Sequence, residues 1–275
     1  MAVELVPITT TGDREQRGPI GSLGSQGVFT KEIQRALLED RIDLAVHSLK
    51  DLPTEPVDGL GLAAVPERET VRDALICRDA TSLTDLPEGA RVGSGSKRRQ
   101  SQLLHYRPDL KMVDIRGNVD TRLAKLDEGQ YDAIVLAEAG LKRLGLADRI
   151  TELIPSDIML PAVGQGALGL ETRSDDTAAQ AALAPINHPR THAAVIAERS
   201  MLAALHGGCL APIAAWGRFE EDNLTLTGRV LSADGTKRIE STENGNDADG
   251  IALGRVVAQH LTDQGAAELI AVARS

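Results

Sequence analysis

The chain holds only two cysteines, Cys77 and Cys209, far apart in its 275 residues. A secreted disulfide scaffold uses more, so a reduced, cytoplasmic protein is expected. No run of about 18 apolar residues occurs, which excludes a transmembrane helix from the expectation and with it a membrane partner. The opening Met-Ala-Val-Glu-Leu-Val-Pro has neither the basic stretch nor the apolar stretch of a signal peptide. The six histidines stand at no metal-ligand spacing with acids or cysteines, so no metal site is expected. There is no internal repeat and no low-complexity stretch.

Basic charge is also scarce. Thirty Lys and Arg stand against forty Asp and Glu, for a formal net charge of -10. A nucleic-acid partner is therefore not expected, because a phosphate backbone needs a basic surface. The deficit is uneven. Between Arg91 and Arg122 there are eight Lys/Arg and three Asp, a local +5, which leaves -15 for the remainder. A basic island in an acidic chain points either to a site for small anions or to the solvated face of two helices.

What is present is enough apolar residue, 42% of the chain, to build two or three domains. Val3–Thr10 alternates and reads as a strand. Gly12–Gly27, with five glycines and a proline, reads as a long loop of the kind that carries function. Phe29, Ile33, Leu37 and Leu38 then share a helical face. From Ile42 to Gly145 short apolar runs alternate with glycine turns and helical stretches, the pattern of a parallel sheet with helices on both faces. Ligands of such sheets sit beyond the carboxyl ends of the strands. Leu160–Leu170 (LPAVGQGALGL) is apolar and bendable, suited to a hinge or a crossover back to the first unit. From about Pro189 a small α+β unit follows: a helix over Thr191–Leu205, a strand over Leu224–Leu231 and a helix over Asp247–Thr262.

Four clusters could carry chemistry. His47-Ser48-Leu49-Lys50-Asp51 ends an apolar strand; it is a hydrated turn unless Asp51 lies in a cleft, where a carboxylate could stabilise a developing cation and relay protons. Gly93-Ser94-Gly95-Ser96-Lys97-Arg98-Arg99 offers open backbone, a helix start and guanidinium forks, which suit carboxylates or phosphates alike. Its glycine spacing fits neither the Walker nor the dinucleotide fingerprint. Asp114-Ile115-Arg116-Gly117-Asn118-Val119-Asp120-Thr121-Arg122 is either an anion site or a weak surface network of Arg and Asp. Gly207-Gly208-Cys209-Leu210-Ala211-Pro212 sets a cysteine just past a helix end, where a thiol is accessible as a nucleophile or an attachment point. Cys77 reads as a small core residue.

These segments in this order, VHSLKDLP, GSGSKRR, RGNVDTR, YDAIVLAEAGLKRLGL, LPAVGQGALGLE and GGCLAPI, with the ITTTGD opening and QGVFTKE, resemble the porphobilinogen deaminase family from about Val3 to the C-terminus. The resemblance implies an α/β fold of two periplasmic-binding-protein-like (type II) domains, 1–66 plus 167–184 and 67–166, with a third small α+β domain, 189–275. It implies a transferase that joins four porphobilinogens head to tail, releasing ammonia, into a linear tetrapyrrole. The growing chain hangs from a dipyrromethane cofactor held by thioether to the cysteine matched by Cys209. Asp51 matches the essential aspartate, which stabilises azafulvenium cations. Lys50, Ser96, Arg98 and Arg99 match positions that bind cofactor carboxylates. Ser48, Arg116 and Arg122 match positions for substrate, and Phe29 matches an aromatic on the loop over the cleft. A cytoplasmic monomer is implied, whose product passes to uroporphyrinogen-III synthase. The alternatives are a truncated inactive member and a bilobal small-anion binder without catalysis.

Three departures stand against the family pattern. Gly95 and Lys97 replace a serine and a leucine of the glycine turn. Gln26 stands where a lysine is frequent. The chain is also expected to start after the family's opening strand and helix, so that it is truncated at the N-terminus and leaves part of its first sheet uncovered.

Overall fold

The computed structural model of the chain describes residues 3–10, 30–207, 211–246 and 249–274. Gln26, Phe29 and Cys209 therefore lie outside the described residues, as does the whole of the expected Gly12–Gly27 loop. Three sheets organise the rest.

Helix α1, Lys31–Leu38, buries Gln34, Ala36 and Leu37. Leu38, assigned above to the same apolar face, is instead about half exposed, at 49%. Strands β1 (Ala45–Ser48) and β2 (Leu60–Ala64) follow, with a 3₁₀ turn, Leu49–Asp51, between them. Val3–Thr10 carries no strand, although its residues alternate. Alternation makes a strand only where a neighbour supplies the ladder bonds, and none of the three sheets includes this segment.

The second sheet runs β5-β4-β6-β3-β7, formed by β3 (Asp73–Cys77), β4 (Arg91–Gly93), β5 (Lys111–Val113), β6 (Ala133–Ala137) and β7 (Glu152–Leu153). Helices α2 (Lys97–Tyr106), α3 (Val119–Asp127) and α4 (Glu138–Arg143) connect or follow its strands. The expectation of an all-parallel sheet needs correction. β4 runs parallel to β5 and β6, but β3 is antiparallel to β6 and to β7. The chain enters β3 from the first unit and not through a helix of this sheet, so the βαβ constraint on direction does not apply to it. Its two faces bury separate cores, one around Leu75, Val92, Leu103 and Val135, the other around Ile76, Ile115, Leu126 and Ile134.

The expected crossover does return the chain. β8 (Leu168–Arg173) lies between β1 and β2 and is antiparallel to both. After α5 (Thr177–Leu183) comes α6 (Pro189–Ala204), with Pro189 at its first turn, where a missing N–H costs nothing. β9 (Ile213–Glu220), β10 (Asn223–Leu231) and β11 (Arg238–Gly245) form an antiparallel meander packed on α6, α7 (Gly250–Asp263) and α8 (Ala266–Arg274).

One carboxylate ties the third sheet to the crossover. Glu198 of α6 is fully buried. Its Oε1 accepts from Arg68 Nη1 at 2.6 Å and from Gly217 N at 2.8 Å; its Oε2 accepts from Gly164 N at 2.7 Å and from Arg68 Nη2 at 3.2 Å. Removing it would strand a buried guanidinium and two backbone donors. Glu198→Ala should therefore cost about 3–5 kcal/mol in urea unfolding. A loss below about 1 kcal/mol would mean that water replaces the carboxylate and the junction does not depend on it.

Candidate active site

The carboxyl ends of β1, β4, β5 and β6 bring the sequence clusters together. At β1 the 3₁₀ turn presents Lys50 and Asp51, while Leu49 just before them is buried and anchors the turn. Gly164 closes on this turn: it has φ of 71° and a Cβ there would lie 3.1 Å from Lys50 N, so a side chain would push the crossover away from the two charged residues. At β4, Ser94 Oγ accepts from Ser96 N at 3.3 Å, and Ser96 makes no side-chain cap bond to α2. The Ser96 hydroxyl is thus not consumed by the helix it precedes. At β5, Gly117 turns with φ of 112° and Asn118 caps α3 by accepting from Thr121 N at 2.9 Å. Arg122 Nε donates to Gly117 O at 2.7 Å, which orients the guanidinium back along the turn.

Arg98 and Arg99 face inward. Arg98 Nη1 donates to Asp73 Oδ2 at 2.7 Å and to Leu160 O at 2.7 Å. Arg99 Nη2 and Nε donate to Asp73 Oδ1 at 2.7 and 3.0 Å, and its Nη1 to Val135 O at 3.1 Å. Gln165 Nε2 reaches the same Oδ1 at 3.0 Å. Burial alone would raise the Asp73 carboxyl, but the two guanidiniums outweigh it and hold the carboxyl well below the usual carboxylate range. Arg99 thereby gives three of its five N–H donors to protein groups. Arg98 Nε is buried with no partner among the described residues.

The charges act on one another across the cleft. Burial pushes the Lys50 amine down, with Asp51 opposing and Arg99 assisting. Burial pushes the Asp51 carboxyl up, against the pull of Lys50, His47 and Arg122. Burial likewise lowers the Arg122 guanidinium, with Arg99 and Arg116 assisting and Asp51 opposing. Lys50 and Asp51 keep exposed surface although protein surrounds them on most sides. They stand on the wall of a cleft, where water moderates the shift but does not reverse its direction.

Lys50, Asp51, Arg98, Arg99, Arg116 and Arg122 are therefore within electrostatic reach of one another, as the sequence clusters anticipate. Ser48 and Lys50 also line a recess of about 60 Å³ with Gly164, Gly166 and Arg143. Arg143 was missed by the sequence reading. It sits at the end of α4, beyond β6, and its Nη2 donates to Gly166 O at 3.0 Å. Its place past a strand end, in the same position as Arg116, was the available signal. A larger recess of about 670 Å³ lies between His105, the β10–β11 hairpin and the α7–α8 turn, away from all of these residues. Among the described residues no group of three His, Cys, Asp or Glu could hold a metal ion.

The donor set is cationic side chains with hydroxyls, around one carboxylate, Asp51, whose pKa burial raises against the pull of Lys50, His47 and Arg122. Such a set holds carboxylates, and the unpartnered Arg98 Nε is a donor of the kind a ligand carboxylate takes. The arrangement defines a class: an α/β protein whose strand ends gather cationic side chains around one carboxylate, with a third α+β unit. Residues 1–181 match the family model "Porphobilinogen deaminase, dipyromethane cofactor binding domain", and residues 192–263 match "Porphobilinogen deaminase, C-terminal domain". The porphobilinogen deaminase of Geobacter metallireducens is 50% identical over 98% of this chain and 85% of its own length. That of Trichlorobacter lovleyi is 51% identical over 96% of this chain and 84% of its own. The chain belongs to the porphobilinogen deaminase family.

The expected N-terminal truncation is not borne out: the family model is matched from residue 1, and 98% of the chain aligns with these relatives. Among solved structures, a nutrient-binding protein of Burkholderia cenocepacia bound to methionine is 13% identical, with a TM-score of 0.37, over 55% of this chain and 73% of that one.

The raised Asp51 carboxyl fixes the sign of a pH effect. A carboxyl whose folded pKa lies above its unfolded value favours folding in its neutral form, so its ionisation erodes stability as the pH rises through the carboxyl range. Asp51→Asn cannot ionise and should melt higher than the parent above about pH 7, with the difference closing below about pH 4. Parallel melting curves would test this; a variant less stable than the parent at neutral pH would show that Lys50 and Arg122 outweigh burial.

Proposed function

We propose that the chain condenses four porphobilinogen molecules head to tail, releasing ammonia, to give the linear tetrapyrrole hydroxymethylbilane. The observation that carries this reading is one carboxylate, Asp51, enclosed with Lys50, Arg98, Arg99, Arg116 and Arg122. Every pyrrole of substrate and product bears an acetate and a propionate, so the cleft has to take up many carboxylates. Arg116 and Arg122, with Ser48, bind those of the incoming substrate; Lys50, Ser96, Arg98 and Arg99 bind those of the dipyrromethane cofactor that the family carries. Arg143, at the recess shared with Lys50, adds a further guanidinium. Phe29 is assigned to substrate binding as well.

Loss of ammonia from porphobilinogen leaves an azafulvenium cation on the substrate. Asp51 stands where it can stabilise that cation as a carboxylate, and its raised pKa suits it to take and return a pyrrole N–H proton at modest cost. When bound, the dipyrromethane supplies the nucleophilic pyrrole carbon from which the product is built. Cys209, in the segment after α6, holds it by a thioether, and the cationic and hydroxyl donors already named fit its carboxylates.

A division into three domains, 1–66 plus 167–184, 67–166 and 189–275, is supported by the three sheets among the described residues. The chain works as a cytoplasmic monomer whose product passes to uroporphyrinogen-III synthase. No helix is long and apolar enough to cross a membrane among the described residues.

Two variants test the assignment of roles. Asp51→Ala should retain the covalent cofactor, seen as added intact mass, and lose turnover by about 100-fold or more. Tetrapyrrole formation at the parent rate would remove Asp51 from the chemistry. Cys209→Ser should purify at the mass of the bare chain; an adduct that survives in it would place the attachment elsewhere.

A further inference from the structure

The C-terminal sheet contributes a buried arginine that the reaction as described does not use. Arg229 is on β10, the central strand, and is 2% exposed. Its Nε pairs with Glu240, its cross-strand neighbour on β11. The other end leaves its own unit: Nη1 donates to Gln102 Oε1 on α2 at 2.8 Å. Burying a guanidinium is costly, and an apolar side chain would fill the space at lower cost, so this contact calls for a reason beyond packing.

Gln102 supplies one. It is 1% exposed, and its Oε1 accepts both from Arg229 Nη1 and from Leu160 N, at 2.9 Å. With both lone pairs occupied by donors the amide has one orientation, and its Nε2 then donates to Leu160 O at 3.0 Å. Leu160 O is the same carbonyl that accepts from Arg98 Nη1 at 2.7 Å. Arg229 is thus two bonded groups away from the guanidinium that also holds Asp73. A second contact lies one helical turn further on. Gly235, at the tip of the β10–β11 hairpin, has φ of 74° and packs so closely that a Cβ would lie 2.6 Å from His105 N, while His105 Nδ1 meets Gly235 O at 2.8 Å. The C-terminal unit therefore grips α2 at Gln102 and at His105, and α2 begins with Ser96, Arg98 and Arg99.

We infer that Arg229 is a positioning residue which, through Gln102 and the Leu160 carbonyl, sets the Arg98 guanidinium for ligand carboxylates and so makes the affinity of the cleft depend on how the C-terminal unit docks on α2. The inference rests on the reading of Arg98 as a carboxylate-binding group. Arg229 touches no substrate; its effect is on binding.

The test uses the full-length protein with its cofactor and compares Arg229→Met, Arg229→Lys and Gln102→Met with the parent. The measurements are KM and kcat for porphobilinogen, covalent cofactor by intact mass, and melting temperature. Arg229→Met should raise KM about fivefold with kcat within about twofold, and Arg229→Lys, which still donates to Gln102, should recover part of the loss. Gln102→Met cuts the link from the other end, so it should raise KM similarly, and the double variant should be no worse than the poorer single one. If Arg229→Met does not fold, Gln102→Met carries the test alone. A lower melting temperature or a smaller loaded fraction with unchanged KM would overturn the inference and leave Arg229 a structural group. Arg98→Gln separates the two readings: if it leaves both KM and cofactor loading at parent values, the carboxylate role of Arg98 fails, whatever Arg229→Met does.

Discussion

Asp73 is the point on which the cleft depends. It opens β3 as a fully buried carboxylate, and it collects Arg98 and Arg99 from α2 and Gln165 from the crossover. Desolvating one carboxylate and two guanidiniums is expensive, and the mutual attraction repays it only because the geometry is close and the remaining donors reach the carbonyls of Val135 and Leu160. The return is placement. The N-terminus of α2 and the returning chain before β8 cannot shift independently of β3 while one carboxyl group on β3 holds both. The cost of undoing it is not that of a surface ion pair, because any member removed leaves the others charged and buried.

Around that fixed point the cleft keeps its charges separate. Asp73 pairs with two buried arginines, Arg98 and Arg99, so the more exposed cations of the site are Lys50, Arg116 and Arg122. Asp51 is the one carboxylate aimed into their midst, and burial keeps it reluctant to ionise despite its neighbours. A site for molecules rich in carboxylates has to avoid repelling them, and a carboxyl group with a raised pKa carries less standing negative charge than one in water. The basic island between Arg91 and Arg122 divides accordingly: Arg98, Arg99, Arg116 and Arg122 stand at the strand ends of the cleft, while Arg91 and Arg107 pair with Asp132 and Asp109 away from it.

The third unit is joined to the other two by buried charges as well as by apolar contacts such as Val195 against Leu49, Leu52 and Val65. Glu198 grips Arg68 and the backbone of the crossover. Arg199, the next residue on α6, donates to the carbonyls of Leu52 and Pro53, directly after the turn that bears Asp51. Arg229 reaches α2. Charged contacts of this kind specify one docking geometry, since a displaced guanidinium finds no partner, whereas an apolar contact tolerates sliding.

The sequence by itself determined the elements and the chemistry of the site. Apolar runs ending in glycine turns located β3, β4 and β6 and the helices behind them, because local periodicity and turn residues report local structure. The clusters at Lys50–Asp51, Ser96–Arg99 and Arg116–Arg122 were legible because their residues are adjacent in the chain. Three features were decided by tertiary structure alone. The direction of β3 and the place of β8 between β1 and β2 follow from where the chain crosses between units, which no local pattern records. Val3–Thr10 alternates yet has no partner strand. Asp73, Gln165 and Arg229 gave no signal, since each matters only through groups distant in sequence that the fold brings within about 3 Å. An isolated aspartate at the start of an apolar strand reads as a strand boundary; buried between two arginines, it sets the shape of the cleft.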